Sequence, residues 1–149
     1  RSSDVCSSDL ERLRLKGRVL FAGDRGDVRD WLAAMDIFVH PTYMEGLPLA
    51  VLEAMLAAKP VIATPVDGVR GLITQGVHGW LVPPDDGDGL ANAIQTVIDN
   101  PELAARVAAA GAERVRREFT ADRAVDSYDR LFRSVVERRS HPVGATVQK

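Results

Sequence analysis

The chain is poor in cysteine: one residue, Cys6, in 149. One thiol cannot close an internal disulfide, so the disulfide-stapled class of small secreted domains is excluded. Neither sign of charge dominates. Nineteen Lys and Arg face 21 Asp and Glu, a formal net charge of −2, which gives no basic surplus for gripping nucleic-acid phosphates. No apolar run approaches the roughly 20 residues that span a bilayer. The three histidines, His40, His78 and His141, are scattered, and no spacing of His, Cys, Asp or Glu reads as a metal site. There is no internal repeat and no visible signal peptide. What remains is a chain with 46% hydrophobic and 27% charged residues. That is the composition of an ordinary globular protein, with length enough for one domain and a sizeable core. The lone thiol is compatible with a reducing, cytoplasmic setting.

The informative stretch runs from Ile37 to Thr64. Two short apolar runs, 37–39 and 60–64, show no polar alternation and read as strands buried on both faces. Between them the pattern predicts a helix with Pro48 in its first turn, where a missing N–H costs nothing. Leu49, Leu52, Leu56 and Met55 would form its apolar face, and Lys59-Pro60 would end it. Strand, helix and strand in so short a span make a right-handed crossover of a parallel sheet. Ligands of such sheets bind at the carboxyl ends of the strands, where the loop 42–47 lies. Gly46 permits close backbone approach. The N–H groups of Gly46, Leu47 and Leu49 are candidates to face an anion at the helix N-terminus. Glu53, roughly 7–8 Å into the helix, can accept two hydrogen bonds from a vicinal diol such as ribose. Glu45, in the loop, can do the same for sugar hydroxyls. An anionic centre flanked by hydroxyls describes a nucleotide-sugar. Taken singly, Glu53 also reads as a solvated helix residue and Glu45 as an ordinary loop residue; the shared setting joins them.

The block Pro41-Thr42-Tyr43-Met44-Glu45-Gly46-Leu47-Pro48, followed by Glu53-Ala54-Met55 and Lys59-Pro60-Val61-Ile62-Ala63-Thr64, resembles the signature of retaining glycosyltransferases of the GT-B fold, the family 4 (group 1) type. Its hallmark is two glutamates separated by seven residues. The flanks agree: Val19-Leu20-Phe21-Ala22-Gly23, then residues 28–39, resemble the strand, helix and strand before the signature. Gly79-Trp80-Leu81-Val82 resembles the strand after it. The resemblance covers about residues 17–137. It implies an α/β, Rossmann-like parallel sheet with flanking helices, the incomplete C-terminal half of a GT-B fold. It further implies that Glu53 binds the donor ribose and that Glu45, the candidate catalytic carboxylate, contacts the donor sugar. Backbone at Gly46 and Leu47 would hold sugar and diphosphate, and Gly23, Asp24 and Arg25 would lie near the nucleobase. The donor is then a nucleotide-diphosphate sugar, with no cofactor and no metal. The acceptor, a sugar or a lipid-linked one, would bind through an absent N-terminal domain, so that the fragment alone is inactive.

Departures from the family pattern are visible. Gly71 stands where the family places a glutamate after the turn Asp67-Gly68-Val69-Arg70, and Phe119-Thr120-Ala121 replaces an aromatic-serine-aromatic run. The basic pair that grips diphosphate in the family is missing; Arg12, Arg14, Lys16 and Arg18 do not fit it. Residues 1–10, Arg1-Ser-Ser-Asp-Val-Cys-Ser-Ser-Asp-Leu10, have no periodicity and resemble a sequencing adaptor read in frame, which leaves 11–139 as the partial nucleotide-sugar-binding domain and 140–149 as a frayed tail. Three C-terminal helices are expected. The first spans 87–100, with Leu90, Ile94, Val97 and Ile98 on one face. The second starts at Pro101, with Leu103, Val107, Val115 and Phe119. The third spans about 121–138, with Val125, Tyr128, Leu131, Phe132 and Val135. Arg130, Arg133, Arg138 and Arg139 read as a solvated basic face, with peripheral contact to anionic lipid as the alternative. Two other functions stay open: a nucleotide-sugar-binding module without transfer activity, and another GT-B enzyme such as a nucleotide-sugar epimerase.

Overall fold

The computed structural model describes residues 9–140, with the side chains of 138–140 outside the description. The sequence readings for most of 1–10 and for the tail, and those for Arg138 and Arg139, therefore lie outside the described residues. The elements, in order, are α1 (Val28–Ala34), β1 (Phe38–His40), α2 (Leu49–Leu56), β2 (Val61–Ala63), α3 (Asp67–Arg70), β3 (Trp80–Leu81), α4 (Gly87–Asp99), α5 (Pro101–Glu118) and α6 (Ala121–Ser140). The chain divides into two compact units, residues 1–31 and 32–149.

In the second unit the three strands form one parallel sheet in the order β1-β2-β3. Phe38 pairs with Val61 and His40 with Ala63, while Ile62 pairs with Trp80 and Ala63 with Leu81. Registered residues of a parallel sheet share a face, and the packing follows that rule. Val61 and Ala63 belong to a core with Val51, Ala54 and Met55 of α2, Val69, Leu72, Ile73 and Val115. Ile62 and Trp80 belong to a second core with Val82, Val97, Ala104 and Val107. Burying each large side chain contributes about 1.5–3 kcal/mol, so covering both faces is what lets uninterrupted apolar strands such as β2 exist. The fold is the expected α/β one, a parallel sheet with flanking helices.

The face that α2 buries matches expectation only in part: Met55 is buried and Leu52 packs against the core. Val51, Ala54 and Met55 are its buried residues, whereas Leu49 and Leu56 are exposed and Leu52 is half-buried. Small residues on α5 select this face. Gly111 packs on the Met55 side chain, where an added Cβ would sit 3.4 Å from Cε, and Ala108 and Ala112 are buried beside it. Helices with such small contact residues approach closely, and the Val51-Ala54-Met55 row packs there, while Leu49 and Leu56 stay exposed.

Helix ends have local causes. Asp86 caps α4 by accepting from the Gly89 N–H at 2.8 Å, and Pro101 occupies the first turn of α5. Of the expected apolar stripes, Val97, Val107 and Val115 are buried. The stripe of α6 is not: Val125, Tyr128, Leu131, Phe132 and Val135 are all exposed. Arg133 pairs with Asp129 at 2.7 Å and Arg130 bonds Ser127 and the Asp126 carbonyl. Among the described residues no helix is long and apolar enough to cross a membrane.

The first unit departs from expectation at 19–23. No strand forms there, and Val19, Leu20 and Phe21 are exposed. A strand needs a neighbour for its N–H and C=O groups, and among the described residues no backbone hydrogen bond reaches this run.

Candidate donor-binding loop and helix

The loop 41–47 leaves the carboxyl end of β1 and delivers the chain to α2. Pro48 is the helix N-cap, one position earlier than the sequence suggests, with extended dihedrals and no side-chain cap. Its carbonyl accepts from Val51 N (3.0 Å) and Leu52 N (3.2 Å). Among the described residues the amides of Gly46, Leu47, Leu49 and Ala50 have no acceptor within the chain. Four N–H groups at and just before an uncapped helix start are thus without an acceptor, where the helix dipole also favours negative charge.

Two carboxylates frame these amides. Glu45 is half-buried in the loop and Glu53 is exposed on α2. Glu53 is the fifth helical residue, so it stands about 6 Å along the axis from Leu49. Among the described residues neither carboxylate forms an ion pair or a side-chain hydrogen bond with the protein. Four of the predicted residues, Glu45, Gly46, Leu47 and Glu53, therefore lie on one loop-and-helix segment.

Gly23, Asp24 and Arg25 belong to the first unit. Gly23 adopts φ +67, a conformation glycine takes freely. Arg25 is committed locally. Its Nε and Nη2 donate to the two carboxylate oxygens of Asp27 at 2.8 and 2.6 Å, and its guanidinium lies 5.4 Å from the Trp31 ring centroid. The hydrogen bond from Arg25 holds the Asp27 carboxyl below its ordinary pKa.

Two residues that sequence reasoning passed over shape the loop. Thr64, at the end of β2, is buried; its Oγ1 accepts from Thr42 N at 3.0 Å and donates to the Thr42 carbonyl. Gly68, in α3, donates its N–H to the Glu45 carbonyl at 3.1 Å. The visible signals were slight: a threonine closing an apolar run, and a glycine inside a helix.

A cavity of about 310 Å³ also opens at the strand ends, lined by Val39, Pro41, Tyr43, Ile62, Val82 and Leu90 among others. Neither glutamate lines it. Its walls are largely apolar, and several of its polar groups have partners within the protein: the Tyr43 hydroxyl donates to Asp85, Asp86 caps α4, and Thr64 holds Thr42. Several of its polar groups thus already have a partner in the protein, whereas the amides at the start of α2 have none among the described residues. Among the described residues no three His, Cys, Asp or Glu side chains gather as a metal site.

Comparison with known proteins gives the family of the chain. Residues 3–100 match the profile of the family described as "Glycosyl transferases group 1"; the match begins inside the segment 1–10. The chain is 34% identical over 122 residues to a lipopolysaccharide core biosynthesis glycosyltransferase, LpsE, of Rhizobium meliloti, covering 82% of this chain and 36% of that protein. It is 31% identical to the mannosyltransferase LpsB of the same organism, over 82% of this chain and 35% of that one. Its backbone superimposes on Anabaena HepE, solved in complex with UDP, with a TM-score of 0.84 at 29% identity, over 89% of this chain and 36% of that one. HepE was also solved with UDP-glucose. The chain thus spans little more than a third of the length of these relatives.

Proposed function

This chain belongs to the group 1 glycosyl transferases, and on that footing we propose that its segment 41–53 binds the nucleotide-sugar donor of a hexosyl transfer. The transfer proceeds in the whole enzyme with retention at the anomeric carbon. The observation that carries this reading is the uncapped N-terminus of α2, its unspent amides lying between two unpaired carboxylates.

Each group has a chemical task. The amides of Gly46, Leu47 and Leu49 hold the diphosphate by hydrogen bonds and by the helix dipole. Glu53 accepts from the ribose hydroxyls. A carboxylate has acceptor capacity for both members of a vicinal diol. Glu45 accepts from hydroxyls of the sugar. In an oxocarbenium-like transition state negative charge grows on the leaving diphosphate, so fixed N–H dipoles stabilise that state more than the ground state. The UDP and UDP-glucose complexes of HepE support a sugar-nucleotide donor, and the mannosyltransferase LpsB supports a hexose. The acceptor belongs to the same proposal: a saccharide, lipid-linked where the relatives act in lipopolysaccharide core biosynthesis.

Calorimetric titration tests the assignment. UDP with UDP-glucose, and GDP with GDP-mannose, serve as paired probes. Glu53→Ala is expected to weaken both members of the bound pair by roughly tenfold, the loss of one or two charge-assisted hydrogen bonds. Glu45→Ala is expected to weaken only the sugar-bearing member. A double variant that binds both like the wild type would remove the site from 41–53.

A further inference from the structure

We propose that Thr64 and Gly68 are positioning residues for the donor sugar, acting together as a clasp that fixes the backbone from which Glu45 extends. The inference rests on the donor-binding reading of that loop.

The loop 41–47 has little to order it from within. Glu45 has no side-chain partner among the described residues, so its place is set by its backbone. That backbone is held from the segment that follows β2. At the root of the loop, the single hydroxyl of Thr64 satisfies both main-chain groups of Thr42, accepting from the N–H at 3.0 Å and donating to the carbonyl. One donor hydrogen and two lone pairs are what a hydroxyl has to offer. Thr64 is only 6% exposed, so water does not readily replace it. Thr42 in turn donates its own hydroxyl to the Met44 carbonyl at 3.1 Å, which carries the ordering one step toward Glu45.

At the far end, Gly68 donates its N–H to the Glu45 carbonyl at 3.1 Å. A Cβ at position 68 would lie 2.6 Å from the Glu45 oxygen and 2.7 Å from the Gly46 carbonyl carbon, and closer still to the Gly46 oxygen. These are backbone atoms, which cannot swing aside as a side-chain tip can. Gly68 is not at a positive φ, so no dihedral requirement calls for glycine there. Glycine inside a helix is normally unfavourable. Close approach to the loop is the feature that explains it. Binding groups must be held to within about 0.5 Å to act, and a side chain at 68 forces the loop backbone and α3 apart.

The test uses amide NMR titration of the whole chain with the same nucleotide and nucleotide-sugar pairs. The wild type is expected to bind the sugar-bearing member more tightly, with the Gly46 amide shifting on binding the bare nucleotide and shifting further when the sugar is present. In Gly68→Ala and Thr64→Val that increment is expected to vanish, while affinity for the bare nucleotide changes by less than about threefold, within the worth of one ordinary hydrogen bond. Thr64→Ser, which keeps the hydroxyl, restores the increment. Amide shifts of residues 61–63 report folding, and if Gly68→Ala fails to fold the Thr64 valine and serine pair decides. Retention of the increment in both Gly68→Ala and Thr64→Val overturns the clasp and leaves the donor reading standing. So does parallel loss of nucleotide and nucleotide-sugar binding with disturbed β2 amides, which marks a purely structural role. A wild-type chain that binds neither member of either pair overturns the donor reading, and the clasp with it.

Discussion

Arg114 reaches out of α5 to four groups at once: the Gly71 carbonyl at 3.0 Å, Thr74 Oγ1 at 3.4 Å, His78 Nδ1 at 3.1 Å and Glu118 at 3.1 Å. Against a guanidinium, His78 serves as an acceptor, and so must be neutral at Nδ1. Burial, with Arg114 and Arg117 nearby, pushes its pKa below the ordinary value, and Glu118 opposes them only in part. The sign for stability follows. The unfolded chain takes up the proton first as pH falls, so stability present above about pH 6.5 is lost as pH drops toward the folded-state value. The unfolding free energy, measured in urea from pH 7.5 to 5, is expected to decline in the wild type. The decline should be shallower in His78→Gln, whose side chain keeps an acceptor but cannot titrate. Identical slopes would mean that His78 does not govern this window. Neither this cluster nor the Thr64 and Gly68 contacts could be read from the chain alone. Apart from Glu118, one helical turn from Arg114, their partners lie 22 or more positions away, and nothing in local composition signals such pairings. Glu45 and Glu53 were legible because both sit in one continuous segment, whose loop and helix the apolar pattern already announces.

At the scale of elements, the C-terminus of α2 is a Schellman turn made without glycine. Lys59 N donates to the Ala54 carbonyl at 3.0 Å and Ala58 N to the Met55 carbonyl at 2.9 Å, with Ala58 at φ +53. Alanine in the left-handed region costs about 1–2 kcal/mol, and glycine's larger unfolded-state entropy costs about 0.5–1 kcal/mol. Ala58→Gly is therefore expected to raise stability by about 0.5–1 kcal/mol in chemical denaturation; a loss of stability would show that the turn is not strained. The sequence placed α2 between its strands and was right about Met55 and Leu52 but not about Leu49 and Leu56. Leucine spacing says where apolar residues lie, while the small residues of α5 decide which of them fit. The run 19–23 shows the converse limit. Its composition suits a buried strand, but strand formation is a property of a pair, and no partner strand is present among the described residues.

Across the whole molecule, the two covered faces of the sheet leave the strand ends as the place where a ligand can enter. Of the openings there, one is apolar with several of its polar groups already paired, and the other is the uncapped start of α2 between Glu45 and Glu53. A crystal structure of the chain grown with UDP distinguishes them directly. The expected result is a diphosphate within hydrogen-bond distance of the Gly46, Leu47 or Leu49 amides, with the ribose hydroxyls at Glu53. A nucleotide lodged instead in the cavity beside Tyr43 and Asp85, or bound away from α2 altogether, would contradict the assignment of this loop and helix as the donor site.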